Sequence, residues 1–294
     1  LLEGNSVDEK RDYLYNNEKT NYSEDDWVPK FNVTYQVNDD LMTYATYSEG
    51  FRSGGTNSLR ASSILPKTYD SDKLKNYELG LKSEWFDSSL RFNAVAYHMQ
   101  WDDMQIQVND PTIFSLGIVN FSEAEIDGFE AEVTWLPASG WDISANVAYI
   151  NAEISEDNEI FTDDGQLIAS VNNGTQLPIA PERKHSIAVQ YTFNSDLFGG
   201  EPYMRLDWAY VGESVNSLDG TESIVFTTGP TDQPSYNIGN FRMGLDAEQW
   251  SGTLYVNNIT DELAEQFYNN RWGSRQRLSI NKPRTIGLTL RYKF

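Results

Sequence analysis

Apolar and polar residues alternate along most of this chain with a period of two. Phe31, Val33, Tyr35 and Val37 are interleaved with Asn32, Thr34 and Gln36 without a break, and residues 185–193 and 286–294 alternate almost as strictly. This period belongs to a β-strand with two unlike faces. Eleven such segments follow one another, near 27–37, 41–52, 73–86, 90–108, 117–135, 141–153, 182–193, 202–212, 236–247, 250–259 and 283–294, and no amphipathic helical pattern interrupts them. Several run 11 to 19 residues. An ordinary globular strand has roughly 5–6 residues, and a tilted strand crosses a bilayer with about 9–11, so these are long enough to cross and continue beyond.

The connections fall into two classes. Tight turns lie at 38–40, 87–89, 137–140, 194–201 and 248–249, and longer polar stretches at 53–72, 109–116, 154–181, 213–235 and 260–282. The two kinds alternate. Successive antiparallel strands place every second connection on the same side, so one rim carries turns and the other loops, as in a bacterial outer-membrane β-barrel. Residues 1–26 then read as the remnant of another outer loop, and 27–294 as barrel.

The faces alone leave two architectures open. A soluble sandwich turns its apolar face to a dry core, whereas a membrane barrel turns it to lipid and lines its lumen with the polar one. The polar sets Glu78, Lys82 and Glu84, Asp142, Ser144 and Asn146, and Thr289, Arg291 and Lys293 suit water in either case. Aromatic placement separates them. Trp85, Trp135, Trp141, Phe193, Trp250 and Tyr292 all fall at strand ends on the short-turn side. A ring of aromatics at one level is the interfacial girdle of a membrane barrel, which favours the membrane.

Composition narrows the function. With 22 Lys+Arg against 44 Asp+Glu the net charge is −22, so no basic face is available for nucleic acid. The 17 Tyr, 14 Phe and 8 Trp exclude a disordered acidic tail. Absence of cysteine removes disulfides, thiol catalysis and Cys-ligated zinc, and the two histidines, His98 and His185, read as structural. No stretch approaches the ~18 apolar residues of a spanning helix. Residues 1–4 lack the start of a signal peptide, so the chain reads as made without one or as a mature fragment. No G-x-S-x-G, H-E-x-x-H or phosphate loop occurs. Asp102 and Asp103 are adjacent in a strand and so point to opposite faces, which argues against a glycosidase pair. Sequons at Asn21, Asn32, Asn120, Asn173 and Asn258 read as chance.

Five segments carry a resemblance. Residues 44–57 (YATYSEGFRSGGTN), 76–86 (NYELGLKSEWF), 126–135 (IDGFEAEVTW), 254–261 (LYVNNITD) and 283–294 (PRTIGLTLRYKF) resemble, in order, strands of TonB-dependent outer-membrane receptors. The resemblance implies an all-β, antiparallel transmembrane barrel of about 22 strands filled by a plug, of which these eleven strands form the second, C-terminal half. The plug and the TonB-engaging segment have no counterpart in 1–294. The implied function is active uptake of a scarce small-molecule nutrient in the bacterial outer membrane, a ferric siderophore first, with cobalamin or an oligosaccharide as alternatives. The implied partners are outer-membrane lipid and lipopolysaccharide, TonB through an N-terminal part, and the barrel assembly machinery, which would read Phe294 as a C-terminal signal. No cofactor or catalysis is called for. The competing readings are a stand-alone pore or autotransporter barrel, disfavoured by the odd strand count, and a soluble carbohydrate-binding sandwich.

Candidate ligand contacts lie in the loops. Residues 267–277 (FYNNRWGSRQR) contrast with the acidic remainder, and Tyr268, Arg271, Trp272 and Arg275 are suited to clamp an anionic ligand, with Arg pairing oxyanions and aromatics stacking. Arg52 and Arg60, in or beside the first complete long loop, are further candidates. Glu153, Glu156, Asp157, Glu159, Asp163 and Asp164 form an acidic run whose spacing matches no calcium loop, so it reads as a solvated outer loop.

Overall fold

The computed structural model describes residues 22–57, 63–110, 115–161, 165, 167–218, 231–269 and 277–293. In chain order its strands are β1 (Lys30–Asn38), β2 (Leu41–Arg52), β3 (Gly55–Thr56), β4 (Thr68–Tyr69), β5 (Asp72–Trp85), β6 (Leu90–Asp102), β7 (Gln105–Asp110), β8 (Ser115–Asn120), β9 (Ala124–Trp135), β10 (Trp141–Ile154) and β11 (Asn158–Phe161). There follow β12 (Leu167–Val171), β13 (Arg183–Thr192), β14 (Gly200–Val211), β15 (Ser214–Val215), β16 (Asp232–Gln233), β17 (Tyr236–Ala247), β18 (Trp250–Asn257), β19 (Glu265–Asn269), β20 (Arg277–Ile280) and β21 (Thr285–Tyr292). Eleven of them form one antiparallel sheet in the order β1-β2-β5-β6-β9-β10-β13-β14-β17-β18-β21. No pairing among the described residues joins β1 to β21.

The other ten strands form five hairpins, β3–β4, β7–β8, β11–β12, β15–β16 and β19–β20, all on the rim away from the tight turns. This corrects the expectation for that rim: connections read as polar loops contain short strand pairs. Two expected long strands also divide. The segment 90–108 breaks after Asp102, where Asp103 takes a left-handed backbone (φ 54°) and its carbonyl accepts from Asn120 Nδ2 at 2.9 Å. The segment 117–135 breaks opposite it, at 121–123, where Phe121 N donates to Met104 O and Met104 N to Ser122 O.

Directly paired residues share a face, so the register sorts every side chain. The outward face runs Val33–Ala45–Leu79–Ala96–Phe129–Tyr149 in one row and Trp135–Ile143–Val189–Leu206–Phe241–Val256–Ile286 in another. These are apolar, yet Val33 is 70 % exposed, Leu79 66 % and Leu290 71 %. A sandwich would cover this face with a second sheet, and an apolar surface of this extent belongs against lipid. The inward face carries Asn32, Thr34, Gln36, Glu78, Lys82, Glu84, Asp142, Ser144, Asn146 and Arg291, the set expected to be polar. The soluble-sandwich alternative is thereby removed.

The band has two edges. At the turn rim, Trp85, Trp135 and Trp141 are outward and exposed, and the Trp85 indole donates to Ser83 Oγ at 2.9 Å. Trp141 packs on Tyr191 (4.9 Å between centroids), which meets Phe193 edge-on (4.8 Å), and Trp250 is directly opposite Tyr292. At the other edge Phe31 stacks on Tyr47, Tyr47 meets Tyr77 and Tyr77 meets His98 at tilted angles across four strands, and His185 stacks on Tyr210. From Trp85 to Tyr77, or Trp141 to Tyr149, is eight residues. At ~3.3 Å per residue and a tilt of about 40° this gives roughly 20 Å, near the height of the apolar belt of outer-membrane barrels.

Beyond Tyr77 and Tyr149 the sidedness reverses. Outward positions become Lys73, Lys75, Asp102, Glu125 and Glu153, while inward ones become Leu74, Met99, Trp101, Ala124, Ile126, Ile150, Ala152 and Ile154. The hairpins fold back over these inward side chains. Met104, Phe121, Ala124, Ala152, Ile154, Ala169, Val171, Leu177 and Leu218 form one buried cluster, and Leu65, Val108 and Val119 another. The protein core therefore sits outside the membrane band, on its loop side.

Glycines account for much of the motif pattern. Gly80, Gly128, Gly244 and Gly287 each lie directly opposite an inward tyrosine, Tyr44, Tyr97, Tyr203 and Tyr255. An added Cβ would collide with the ring at Gly80, Gly128 and Gly287, and at Gly244 it would meet Gly252 O first, at 2.5 Å, with the Tyr203 ring at 3.0 Å. Three of these glycines stand in the segments NYELGLKSEWF, IDGFEAEVTW and PRTIGLTLRYKF. A strand glycine of this kind marks a close approach, here of a ring onto backbone.

Candidate functional site

The loop-side end of the sheet is tied together by side chains reaching backbone. Asp72, 2 % exposed, is the centre of one such knot. Its carboxylate accepts from Arg52 through a forked pair, from Trp101 Nε1 at 3.0 Å and from Gln105 N at 3.1 Å. The Arg52 guanidinium lies 5.1 Å from the centroid of the Trp101 ring, and its Nη2 also reaches Gln105 O at 3.1 Å. One ion pair thus joins β2, β5, β6 and β7. Burial pushes the Asp72 carboxyl up, but the Arg52 fork and the Gln105 and Trp101 donors outweigh it and hold it below the ordinary carboxylate range. Asp72 in turn holds the Arg52 guanidinium above its usual value.

Asparagine amides perform the same task elsewhere. Asn57 donates to Pro66 O and Ile118 O and accepts from Ile118 N, clipping the first loop to β8. Asn258, 3 % exposed, donates to Glu262 O and Lys282 O and accepts from Glu262 N. Asn120 and Asn173 are spent on backbone carbonyls as well, and Asn32 on Thr46, so four of the five sequons hold engaged amides. Asn21 lies outside the described residues. Asp110, fully buried, accepts from Ser63 Oγ at 2.6 Å and Ile64 N at 2.9 Å.

The expected site residues fare unequally. Arg52 is described, half-exposed, and its fork is committed to Asp72. Tyr268 is half-buried on β19, and its carbonyl accepts from Asn216 Nδ2 at 2.8 Å. The two are not brought together: Arg52 ends the second strand of the sheet, and Tyr268 lies between the tenth and eleventh. Arg60, Arg271, Trp272, Arg275 and the terminal Phe294 lie outside the described residues, as do Asp163 and Asp164. In the acidic run, Asp157 Oδ1 accepts from Asn173 N at 2.7 Å, and Glu153 faces outward opposite Glu125. No three acidic or histidine groups among the described residues are gathered to hold a metal. Asp102 pairs outward with Lys75 at 2.6 Å. His98 Nδ1 lies 2.9 Å from Asp127 Oδ1. Asp72, Trp101 and Gln105, the partners that orient Arg52, were not anticipated.

Comparison with known proteins bears on this arrangement. The family model described as "TonB dependent receptor-like, beta-barrel" matches residues 3–259. The chain belongs to this family. It is 24 % identical over 274 residues to the pesticin receptor of Yersinia pestis, an alignment covering 92 % of this chain and 37 % of that protein. Among solved structures, the ferric yersiniabactin uptake receptor FyuA from Yersinia pestis superposes with a TM-score of 0.70 at 23 % identity, over 90 % of this chain and 37 % of that one. The ferripyoverdine receptor of the outer membrane of Pseudomonas aeruginosa superposes with a TM-score of 0.62 at 19 % identity, over 91 % of this chain and 33 % of that one. At these identities the likeness is one of fold: the eleven-stranded sheet is part of a TonB-dependent receptor barrel. This chain spans little over a third of the relatives it matches. Those relatives are receptors rather than enzymes.

Proposed function

We propose that this chain is the C-terminal portion, residues 27–294, of the outer-membrane barrel of a TonB-dependent receptor that imports a scarce nutrient, with a ferric siderophore as the first candidate. The observation that carries the reading is the two-sided wall within that family: an apolar outward band bounded by aromatics at both edges, a polar inward face, and a packed cap of hairpins on the loop side. The names of the relatives, a ferric yersiniabactin uptake receptor and a ferripyoverdine receptor, support iron as the cargo over cobalamin or an oligosaccharide. In this reading Trp85, Trp135, Trp141, Phe193, Trp250 and Tyr292 sit at the periplasmic interface, and the charged outward belt above Tyr77 meets lipopolysaccharide. The Arg-rich loop 267–277 and Arg60 meet the ligand, and Phe294 is read by the assembly machinery. Arg52 acts there as the pin that holds the mouth together. TonB acts through a part of the receptor N-terminal to this chain.

The test is uptake of radiolabelled iron by cells whose ferric receptors are deleted and which express the full-length receptor. Saturable accumulation from one ferric chelate, lost when TonB is deleted, supports the proposal. Entry that is indifferent to TonB and limited only by solute size overturns it in favour of a pore.

A further inference from the structure

On the inward face of β13, β14 and β17 cations are as numerous as carboxylates, unlike the acidic inward face of β5 to β10. The chain stands at −22, and the inward face of β5 to β10 follows suit, with Glu78, Glu84, Glu130, Glu132 and Asp142 against Lys82 and Arg91. Across the sheet stand Lys184, Arg205 and Arg242, with one carboxylate, Asp207, among them at mid-height; Glu201 and Asp246 face each other nearer the turn rim.

Arg205 and Arg242 are directly opposite each other on β14 and β17. Arg205 Nε donates to Asp207 Oδ1 at 2.8 Å, and Arg205 Nη2 stands 2.8 Å from Asp207 Oδ1. Arg242 Nη1 is 3.5 Å from Asp207 Oδ2, too far for a well-formed hydrogen bond, and Oδ2 is a buried atom with no hydrogen-bond partner. One carboxylate between two guanidinia leaves a net positive charge. Arg205 Nη1 and Arg242 Nε and Nη2 make no hydrogen bond among the described residues. Beside Arg205 and Asp207 is a depression of about 260 Å³ whose walls add Ser144, Asn146, Ser186 and Asn240, with Arg242 standing outside this lining. Free guanidinium donors next to hydroxyl and amide groups, in a concave and partly desolvated place, are the elements of an oxyanion site.

We propose that Arg205 and Arg242, oriented by Asp207, bind an oxyanion of carboxylate or phosphate type on the inner wall of the barrel. The free N–H groups grip its oxygens, and the Ser and Asn side chains serve those that remain. The same chemistry has two sources, a solute passing along the wall or a carboxylate of another part of the receptor that fills the lumen, and the test separates them. The inference rests on the reading of this face as a lumen, but its readout needs no transport, so an iron-uptake assay on the same protein distinguishes failure of one from failure of the other.

Crystals of the full-length receptor are soaked with selenate and the anomalous selenium signal is mapped, with calorimetry in solution. A selenate peak between the two guanidinia, weakened about tenfold in affinity by Arg242→Gln, supports the site with a solute as occupant. A carboxylate from elsewhere in the receptor within hydrogen-bond reach of both guanidinia supports it with an internal occupant. Guanidinia that meet only Asp207, other wall acids or water, with no selenate peak, overturn it. Where Arg242→Gln fails to fold, Arg205→Lys retains the charge and loses the fork, and weaker selenate binding by that folded variant is the readout.

Discussion

Within the membrane band and above it, the same strands solve opposite problems. On β10, Ile143, Val147 and Tyr149 face outward toward lipid while Ser144 and Asn146 face the lumen; a few residues on, Glu153 is outward and Ile150, Ala152 and Ile154 are inward under the hairpins. The backbone is continuous across this change, and only the identity of the apolar face differs. In the band, lipid supplies the apolar environment, so no protein core is required and inward polar groups meet water or filling. Above it, water is outside, and the wall is held by hydrophobic burial against the hairpins, as in a soluble protein. The loop-side half is thus a folded unit with its own core, pinned by Asp72, Asp110, Asn57 and Asn258.

The largest effect expected from this contrast comes from a charge on the wrong face. Ile154→Asp places a carboxylate where the side chain is fully buried, and we expect a loss of about 4 kcal/mol or failure to fold. Val147→Arg, on lipid between the midplane and the Tyr149 edge, should cost about 1–3 kcal/mol. Glu153→Gln and Asn146→Asp, on the wet faces of the same strand, should lie within about 0.5 kcal/mol of the parent. Urea titration of refolded full-length receptor in lipid vesicles reads all four. Equal costs at 153 and 154 would show that the outward and inward faces of β10 above the band do not differ.

Next in size is the pin. Asp72→Ala leaves Arg52 without its partner, and since Arg52 is half in water the cost should be about 2 kcal/mol, expressed as faster proteolysis of the loop-side half with the band intact. The pH dependence has a definite sign. The folded carboxyl is depressed, so its stabilisation is complete above the unfolded value of about 3.9 and is lost as pH falls below it through the lower folded value. Acid titration monitored by limited proteolysis should show that loss in the parent, and Asp72→Asn should reduce the dependence, leaving the part due to other depressed carboxyls such as Glu24 and Asp26.

A smaller effect sharpens the lower half. Gly128→Ala drives a methyl into the Tyr97 ring and should cost about 1–3 kcal/mol, much of it recovered in the Gly128→Ala, Tyr97→Ala double variant. Additive losses would show that the glycine serves something other than the ring. Smallest of all is the exposed Arg91–Glu84 pair at 3.0 Å near the turn rim, whose Arg91→Ala variant should change stability by under about 1 kcal/mol, and by less at high salt.

Much of the wall was legible in the sequence because a period of two is local information. The eleven strands, their order and the alternation of turns with long connections all follow from it. The reversal above the band was present but harder to read. It appears as two apolar residues in succession, Tyr149 and Ile150, where the alternation slips phase; read as one long strand, the segment hides the slip. The hairpins were masked by their polar connections and by the left-handed Asp103, which ends β6 inside an apparently continuous pattern. The Asp72 knot was beyond reach for another reason. Its members lie at 52, 72, 101 and 105, so only the pairing of β2 with β5 and of β5 with β6 brings them together.

These 294 residues contain no cysteine, so a label can be placed at any one of them without removing a native thiol from this portion. Single cysteines placed at each position from 143 to 154 of the full-length receptor in lipid vesicles carry a nitroxide label, and collision with oxygen is compared with collision with a water-soluble nickel chelate. Oxygen-dominated maxima are expected at 143, 145, 147 and 149, then a reversal in which 151 and 153 become nickel-accessible while 152 and 154 are shielded from both. An unbroken period of two with lipid exposure continuing through 151 and 153 would contradict it.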